Sequence, residues 1–263
     1  ARLIAAALPD RKPDSHKGSY GQVAALGGER TMRGAIFLSS HAALRSGAGL
    51  VTAHTPDAGV TEIDEVMSQQ WRIGDALPKC DVLLFGPGAG QGEWAQAAFE
   101  AAQDFDKLKV FDADALALLA DRPNRDDQRI ITPHPGEAAR LLGVSKTQIQ
   151  TDRFQAVRDL QAKYGGVAVL KGAGTLVCDG DQLQLCDRGN AGMATAGSGD
   201  VLAGIIAALL AQGLVPMAAA CQGVLLHAIA GDLATAEQSE QGVIASSITA
   251  HIPQAIKIGS DST

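Results

Sequence analysis

The sequence predicts an α/β fold, a three-layer α/β/α sandwich around a mostly parallel sheet with an antiparallel ribbon at one end. Three observations predict it. Short β-prone runs alternate with longer helix-forming ones from Gln22 to Leu170, the pattern of βαβ units. Aromatic residues are only 4% of the chain, so the core must be built from Ala, Val, Leu and Ile, which suits helices packed closely on a parallel sheet. Finally, two alternating runs, Thr175 to Cys178 and Gln182 to Cys186, flank Asp179-Gly180-Asp181, a short hairpin signal.

Taken in order, strands are expected at Gln22–Leu26, Leu50–His54, Asp81–Phe85, Lys109–Phe111, Arg129–Ile131 and Val167–Leu170, before the ribbon. Helix-forming composition marks Ala35–Arg45, Glu93–Gln103, Asp114–Ala120 and Thr151–Lys163. Some of these are apolar on nearly every face, as sandwiched helices are. Beyond the ribbon, Asp200–Gln212 and Met217–Glu237 read as long, Ala-rich buried helices, and Ser246–Ile258 as a last helix bounded by Gly259. With no linker, repeat or low-complexity tract, residues 1–263 are expected to form a single domain.

Composition narrows the partners. The net charge is −7 and no basic run tracks a phosphate backbone, which argues against nucleic acid. Anionic small ligands remain compatible, because helix N-termini bind phosphate without net positive charge. Cys80, Cys178, Cys186 and Cys221 show neither a CxxC pair nor zinc-ligand spacing, and read as reduced, mostly buried fillers. The apolar opening Ala1–Leu8 is too short for a membrane span and lacks a signal-peptide pattern, so a cytoplasmic setting without membrane attachment is expected. The chain starts without Met, which leaves a preceding domain open.

The chemistry concentrates in Gly189-Asn190-Ala191-Gly192-Met193-Ala194-Thr195-Ala196-Gly197-Ser198-Gly199-Asp200, which leads directly into the apolar run Val201–Leu210. A glycine-rich loop can approach a polyphosphate closely, and the unpaired amides and positive dipole end of the following helix stabilise negative charge. Such a loop would be an anion hole. Asp200, in the first helical turn beside it, could accept the proton of a hydroxyl attacking a terminal phosphoryl group. The plain alternative is a capped turn, since Asp favours helix starts. Neither a P-loop nor an intact GxGxxG is present, because Leu202 stands where the third glycine would be.

Further motifs occur along almost the whole chain: His16-Lys17-Gly18 to Tyr20-Gly21, Gly34-Ala35, Arg45 to Gly49, Gly86-Pro87-Gly88-Ala89-Gly90, Asp112-Ala113-Asp114-Ala115-Leu116, Thr132-Pro133-His134-Pro135-Gly136-Glu137 and Lys171-Gly172-Ala173-Gly174-Thr175. Together with the Gly189–Asp200 block, in this order, the chain resembles the ADP/ATP-dependent NAD(P)H-hydrate dehydratases of the ribokinase-like superfamily. The resemblance implies a two-stage reaction. The hydroxyl of the hydrated nicotinamide ring is phosphorylated by ADP or ATP, and loss of phosphate then restores NADH or NADPH.

Within that resemblance, Asp200 is the base and Gly197–Gly199 the anion hole. Lys171, Gly172, Ala173, Gly174, Thr175, Asn190 and Gly199 contact the nucleotide, and Ala35, Gly88, Gly90, His134 and Asp200 contact the hydrate. Mg²⁺ is expected as a cofactor in a water shell near Asp112 and Glu137 rather than by direct side-chain ligation. Helix capping competes for Asp114 and Glu137, a glycine turn for Lys171–Thr175, and a structural role for His134. His16, Lys17 and Tyr20 serve either a ligand or a subunit contact. Ala117 stands where the family often has Asn, which puts one polar contact in doubt. A homo-oligomer, a tetramer by resemblance, and functional pairing with an NAD(P)H-hydrate epimerase are also implied. The rival readings are a superfamily kinase acting on a thiazole or pyridoxal-type alcohol, and a non-catalytic nucleotide-binding protein.

Overall fold

The computed structural model describes residues 11–57 and 63–260. Within them one nine-stranded sheet runs in the order β3-β2-β1-β4-β5-β6-β7-β8-β9. The strands are β1 (Gln22–Leu26), β2 (Leu50–Thr55), β3 (Met67–Gln70), β4 (Val82–Phe85), β5 (Lys109–Phe111), β6 (Arg129–Ile131), β7 (Val167–Leu170), β8 (Thr175–Cys178) and β9 (Leu183–Cys186). Pairings from β3 to β7 are parallel. β8 and β9 complete the sheet in antiparallel fashion, as the hairpin signal requires. The apolar opening Ala1–Leu8 lies outside the described residues.

Nine helices are described: α1 (Arg33–Arg45), α2 (Glu93–Gln103), α3 (Asp114–Asp121), α4 (Pro135–Leu142), α5 (Lys146–Thr151), α6 (Arg153–Tyr164), α7 (Ser198–Ala211), α8 (Pro216–Gln238) and α9 (Ala245–Ser260). Because β4, β5 and β7 are buried along their whole length, alternate residues feed two separate cores. On one face Leu84, Val110 and Val169 pack with α1, α7, α8 and α9. On the other, Phe85 and Phe111 pack with Phe99 of α2 and with α3, α4 and α6, and the Phe85 and Phe111 rings meet edge-on at 5.6 Å.

The differences from the expected elements have local causes. β3, not expected, is an edge strand of Met67-Ser68-Gln69-Gln70, too polar to read as β. The helix expected over Thr151–Lys163 divides, because Asp152 has non-helical dihedrals and its carboxylate caps α6 by accepting from the Gln155 amide at 2.9 Å. α9 continues through Gly259, where a stop was expected. The four cysteines are free and buried. α8 is long and apolar enough to cross a membrane by length and composition, yet 72% of its apolar window is buried inside the protein.

α7 carries the glycine-rich loop into the core, and its contact with α1 depends on Gly204. A Cβ there would lie 2.0 Å from the Ser39 carbonyl oxygen, so backbone meets backbone. Gly204→Ala is therefore expected to destabilise by about 1–3 kcal/mol through overpacking. The midpoint of urea denaturation should fall with its slope unchanged; an unchanged midpoint would disprove the tight contact.

At the amino ends of β5 and β6 lies a buried charged network. Lys109, 2% exposed, donates to Asp126 Oδ2 at 2.8 Å and to the Phe105 carbonyl at 2.5 Å. Arg129, also buried, lies over the Phe111 ring and donates to the Asn124 and Tyr164 carbonyls.

Candidate active site

The carboxyl ends of parallel strands are where open α/β sheets gather ligands, and here β4 to β7 deliver most of the expected residues there. Gly86–Gly90 follow β4, Asp112 and Asp114 follow β5, Thr132, His134 and Glu137 follow β6, and Lys171–Thr175 follow β7. α7 brings its own N-terminus, with Gly197 at φ 86° as its cap. That dihedral is costly for any residue but glycine.

Lys171 is the hub. Its Nζ lies 2.6 Å from Asp112 Oδ1 and 3.8 Å from Glu137 Oε2. Thr132 Oγ1 donates to the same Asp112 oxygen at 2.8 Å, and Asp112 is 1% exposed. A Cβ at Gly199 would sit 3.0 Å from Lys171 Nζ, so the ammonium reaches the first turn of α7. Burial alone would lower the Lys171 pKa, but Asp112 and Glu137 outweigh it and hold it above the ordinary value. The lysine is a fixed positive charge.

Asp200 is in the first turn of α7, as expected. Burial, reinforced by the Asp112 carboxylate and opposed by Lys171, pushes its pKa up to about 7. Burial and Asp112 also push Glu137 up to about 7 against Lys171. A carboxyl poised near neutrality can both accept and release a proton at working pH.

A cavity of about 760 Å³ opens beside this cluster. Its polar wall comprises Lys171–Thr175, Asn190, Ser198 and Gly199, and its apolar wall Met193, Leu202, Val224 and Ala228. The first-turn amides of an α-helix have no intrahelical acceptor. Of the expected anion hole Gly197–Gly199, the Ser198 N–H is already engaged, donating to the Thr195 carbonyl at 3.3 Å. Asp200 adjoins the Ser198–Gly199 part of that wall in the chain without lining the cavity itself.

His134 caps α4. Its Nδ1 accepts from the Gly136 and Glu137 amides at 2.9 and 3.2 Å, which places the proton of the neutral imidazole on Nε2. Burial and the Lys171 charge lower its pKa. Glu137 completes the capping box by accepting from the His134 amide at 2.7 Å while also facing Lys171, so capping and site membership coexist. His134 lines the larger cavity and also a smaller one of about 330 Å³, with Asp114, Ala117 and Arg140.

Ala35, Gly88 and Gly90 form a second group, outside both cavities. A Cβ on Gly88 would lie 3.2 Å from the Ala35 Cβ and 2.4 Å from the Met32 carbonyl, and one on Gly90 would lie 2.1 Å from Glu29 Oε2. Asp114 joins this group to the rest. Its Oδ2 accepts from the Gly90 amide at 2.8 Å, a tie between loops rather than the competing capping role, and Ala113 is the N-cap of α3 without a side-chain bond.

Sequence reasoning missed three residues of α8. His227 lines the larger cavity, with Nε2 3.2 Å from Ser198 Oγ, and burial lowers its pKa to about 4. Asp232 and Thr235 hold Asn190: its Nδ2 donates to Asp232 Oδ1 at 2.8 Å, and its Oδ1 accepts from Thr235 Oγ1 at 2.7 Å. The available signal was a polar residue on an otherwise buried helix. His16, Lys17 and Tyr20 go elsewhere. They precede β1, at the amino ends of the strands, where the Lys17 carbonyl packs against Gly49.

No group of three or more His, Cys, Asp or Glu among the described residues is arranged to hold a metal ion. One oxygen of Asp112 already takes both Lys171 and Thr132. The residues present therefore do not build a protein-only magnesium cage.

A mostly parallel sheet, a glycine-capped helix start and a carboxyl beside it define a ribokinase-like α/β enzyme. The sequence matches the NAD(P)H-hydrate dehydratase family over residues 23–254. The chain belongs to that family. It is similar to the ADP-dependent (S)-NAD(P)H-hydrate dehydratase of Neisseria meningitidis, at 42% identity over 85% of this chain and 80% of that one. It is also similar to the bifunctional NAD(P)H-hydrate repair enzyme of Coxiella burnetii, at 46% identity over 93% of this chain and 52% of that one. The chain thus spans about half the length of the bifunctional relatives it matches. In structure it resembles the ADP/ATP-dependent NAD(P)H-hydrate dehydratase of Bacillus subtilis co-crystallised with ATP and Mg²⁺, with a TM-score of 0.86 and 31% identity over 96% and 94% of the two chains. The hydroxyethylthiazole kinase of Pyrococcus horikoshii, at TM-score 0.61 and 14% identity, shares the fold alone.

Proposed function

We propose that this chain dehydrates the S-epimer of hydrated NADH and NADPH, consuming ADP to give AMP and phosphate, or ATP to give ADP and phosphate. One observation carries the reading: Asp200, with its pKa raised to about 7, sits in the same helical turn as the Gly199 amide and within the field of Lys171, at the edge of a cavity of about 760 Å³. The nucleotide occupies that cavity, with its phosphates at Lys171, Gly172–Thr175 and the start of α7. The hydrate approaches over Ala35, Gly88, Gly90 and His134, whose Nε2 lies 3.6 Å from Glu137 Oε1.

Asp200 takes the proton of the ring hydroxyl as its oxygen attacks the terminal phosphoryl group. The helix amides and Lys171 stabilise the charge on that group. Phosphate is a far better leaving group than hydroxide, and its departure with the C–O bonding pair, together with loss of a proton from the adjacent ring carbon to solvent, forms the C=C bond and restores the dihydronicotinamide. Glu137 and Asp112 would hold a nucleotide-bound Mg²⁺ through water, and the ion would neutralise phosphate charge. A stable phosphorylated alcohol as product would favour the kinase rival, and binding without turnover the non-catalytic one. The test is recovery of the dihydronicotinamide absorbance band from prepared NADPH hydrate. Recovery with ADP or ATP and not without supports the reading, and no recovery with either nucleotide ends it.

A pH dependence follows. The base must be ionised, so kcat/KM for the hydrate should fall about tenfold per pH unit below about 7 and level off above it. The Glu137 charge raises the Asp200 pKa, so Glu137→Gln should move this limb to lower pH. A profile flat from pH 6 to 8, which are about one unit either side of neutrality, would contradict Asp200 as the base. A cytoplasmic setting fits the reduced cysteines, and by resemblance the protein works as a homo-oligomer, a tetramer, alongside an epimerase that supplies the reactive S-epimer.

A further inference from the structure

The Lys171–Thr175 loop has an unexplained neighbour. Arg153, the first residue of α6, places Nη2 3.2 Å from the Leu170 carbonyl, 3.4 Å from that of Lys171 and 3.1 Å from that of Gly174. Gly172 and Gly174 have φ of 143° and 70°, the region that lets glycine turn its carbonyls where other residues would not. A Cβ on Gly172 would lie 2.4 Å from Arg153 Nη1. The glycine that looks like room for a ligand is therefore also the seat of a guanidinium. Arg153 is half-buried, and no carboxylate among the described residues pairs with it; Asp152, its neighbour, is engaged in capping. Among the described residues its charge is answered by carbonyl dipoles.

We propose that Arg153 is a positioning residue of the nucleotide site, gathering the carbonyls of Leu170, Lys171 and Gly174 behind the loop so that the cavity faces an electropositive wall. The planar fork matters, because one guanidinium spans several acceptors where an ammonium is a point charge. An unpaired cation behind the loop favours an anionic ligand in front of it and costs stability when the cavity is empty. This inference rests on the reading of the larger cavity as the nucleotide site.

The experiment compares wild type, Arg153→Met and Arg153→Lys in KM for ADP and ATP, KM for the hydrate, kcat at saturating nucleotide, and thermal midpoint without ligand. In Arg153→Met the nucleotide KM should rise about tenfold or more, the scale of one lost charged hydrogen-bonding group. The hydrate KM and kcat should stay within about threefold of wild type, below the scale of a lost catalytic group. Arg153→Lys should fall between, and serves alone if Arg153→Met does not fold. A role in folding only would instead lower the midpoint and move all kinetic parameters together or not at all; either result overturns the inference. Wild type without nucleotide dependence would sink the nucleotide reading and this inference with it. Nucleotide-dependent wild type beside a variant of unchanged nucleotide KM sinks this inference alone.

Discussion

Asp200→Asn is expected to lower kcat by about 10²–10⁴-fold, the range for loss of a general base. Nucleotide affinity should change little, because Asp200 is not in the wall of the larger cavity. Stability should hold or rise. Asp112, Glu137 and Asp114 all push the Asp200 pKa up, so the site concentrates like charge that the amide relieves. The helix amides and Lys171 remain, which leaves a residual rate above that in free solution. The check is threefold: the rate of band recovery, nucleotide titration by calorimetry, and the thermal midpoint. A variant with kcat within about threefold of wild type would remove Asp200 from the base role. A variant with lost nucleotide binding would show that the carboxylate holds ligand rather than proton.

Asp126→Ala is expected to destabilise the protein by about 3–5 kcal/mol, because it strands the Lys109 ammonium without a counter-charge in the core. Lys109 is 2% exposed, and its partner Asp126 is 17% exposed. Burial alone would push the Asp126 carboxyl up, but the hydrogen bond and charge of Lys109 overcome this and hold it below the ordinary value. A depressed carboxyl gives stability that is present above its unfolded pKa and lost as pH falls through the folded one. Acid unfolding of wild type should thus be steepest below the ordinary Asp range, and this component should vanish in the variant. Lys109→Met/Asp126→Leu, which removes both charges and fills the volume, should recover most of the loss. Failure of the single variant to shift the denaturation midpoint would show the pair to be energetically idle.

Most of the sheet was readable because short runs of Val, Leu, Ile and Phe, most of them closed within two residues by Gly or Pro, admit few alternatives. β1, β5, β6, β7 and β8 fall on the expected residues. β3 was not readable, since an edge strand of Ser and Gln has no apolar alternation to show. The start of α6 was misplaced because Asp152 caps through a dihedral that sequence does not display. In the site, Asp112, His134, Glu137, Lys171 and Gly199 come together as their motifs implied. Pairwise engagement was not legible. That Asp114 ties Gly90, that Asp232 holds Asn190, and that Arg153 sits behind Gly172 depend on contacts between residues 19 to 42 positions apart. Such contacts leave only isolated polar residues in the text.

The two ends of β5 and β6 have a joint consequence for register. β5 is three residues long, as is β6, with Lys109 opposite Arg129 and Phe111 opposite Ile131. Strands this short carry little hydrophobic specification of their own, and a shift by one residue turns every side chain to the opposite face. Here such a slip would carry Lys109 away from Asp126 at one end and Asp112 away from Lys171 and Thr132 at the other. A misaligned sheet would thus hold several unpaired charges at once, an error far more costly than an apolar mismatch. The charged pairs act as alignment pins, so the accuracy of the centre is checked during folding before any ligand arrives.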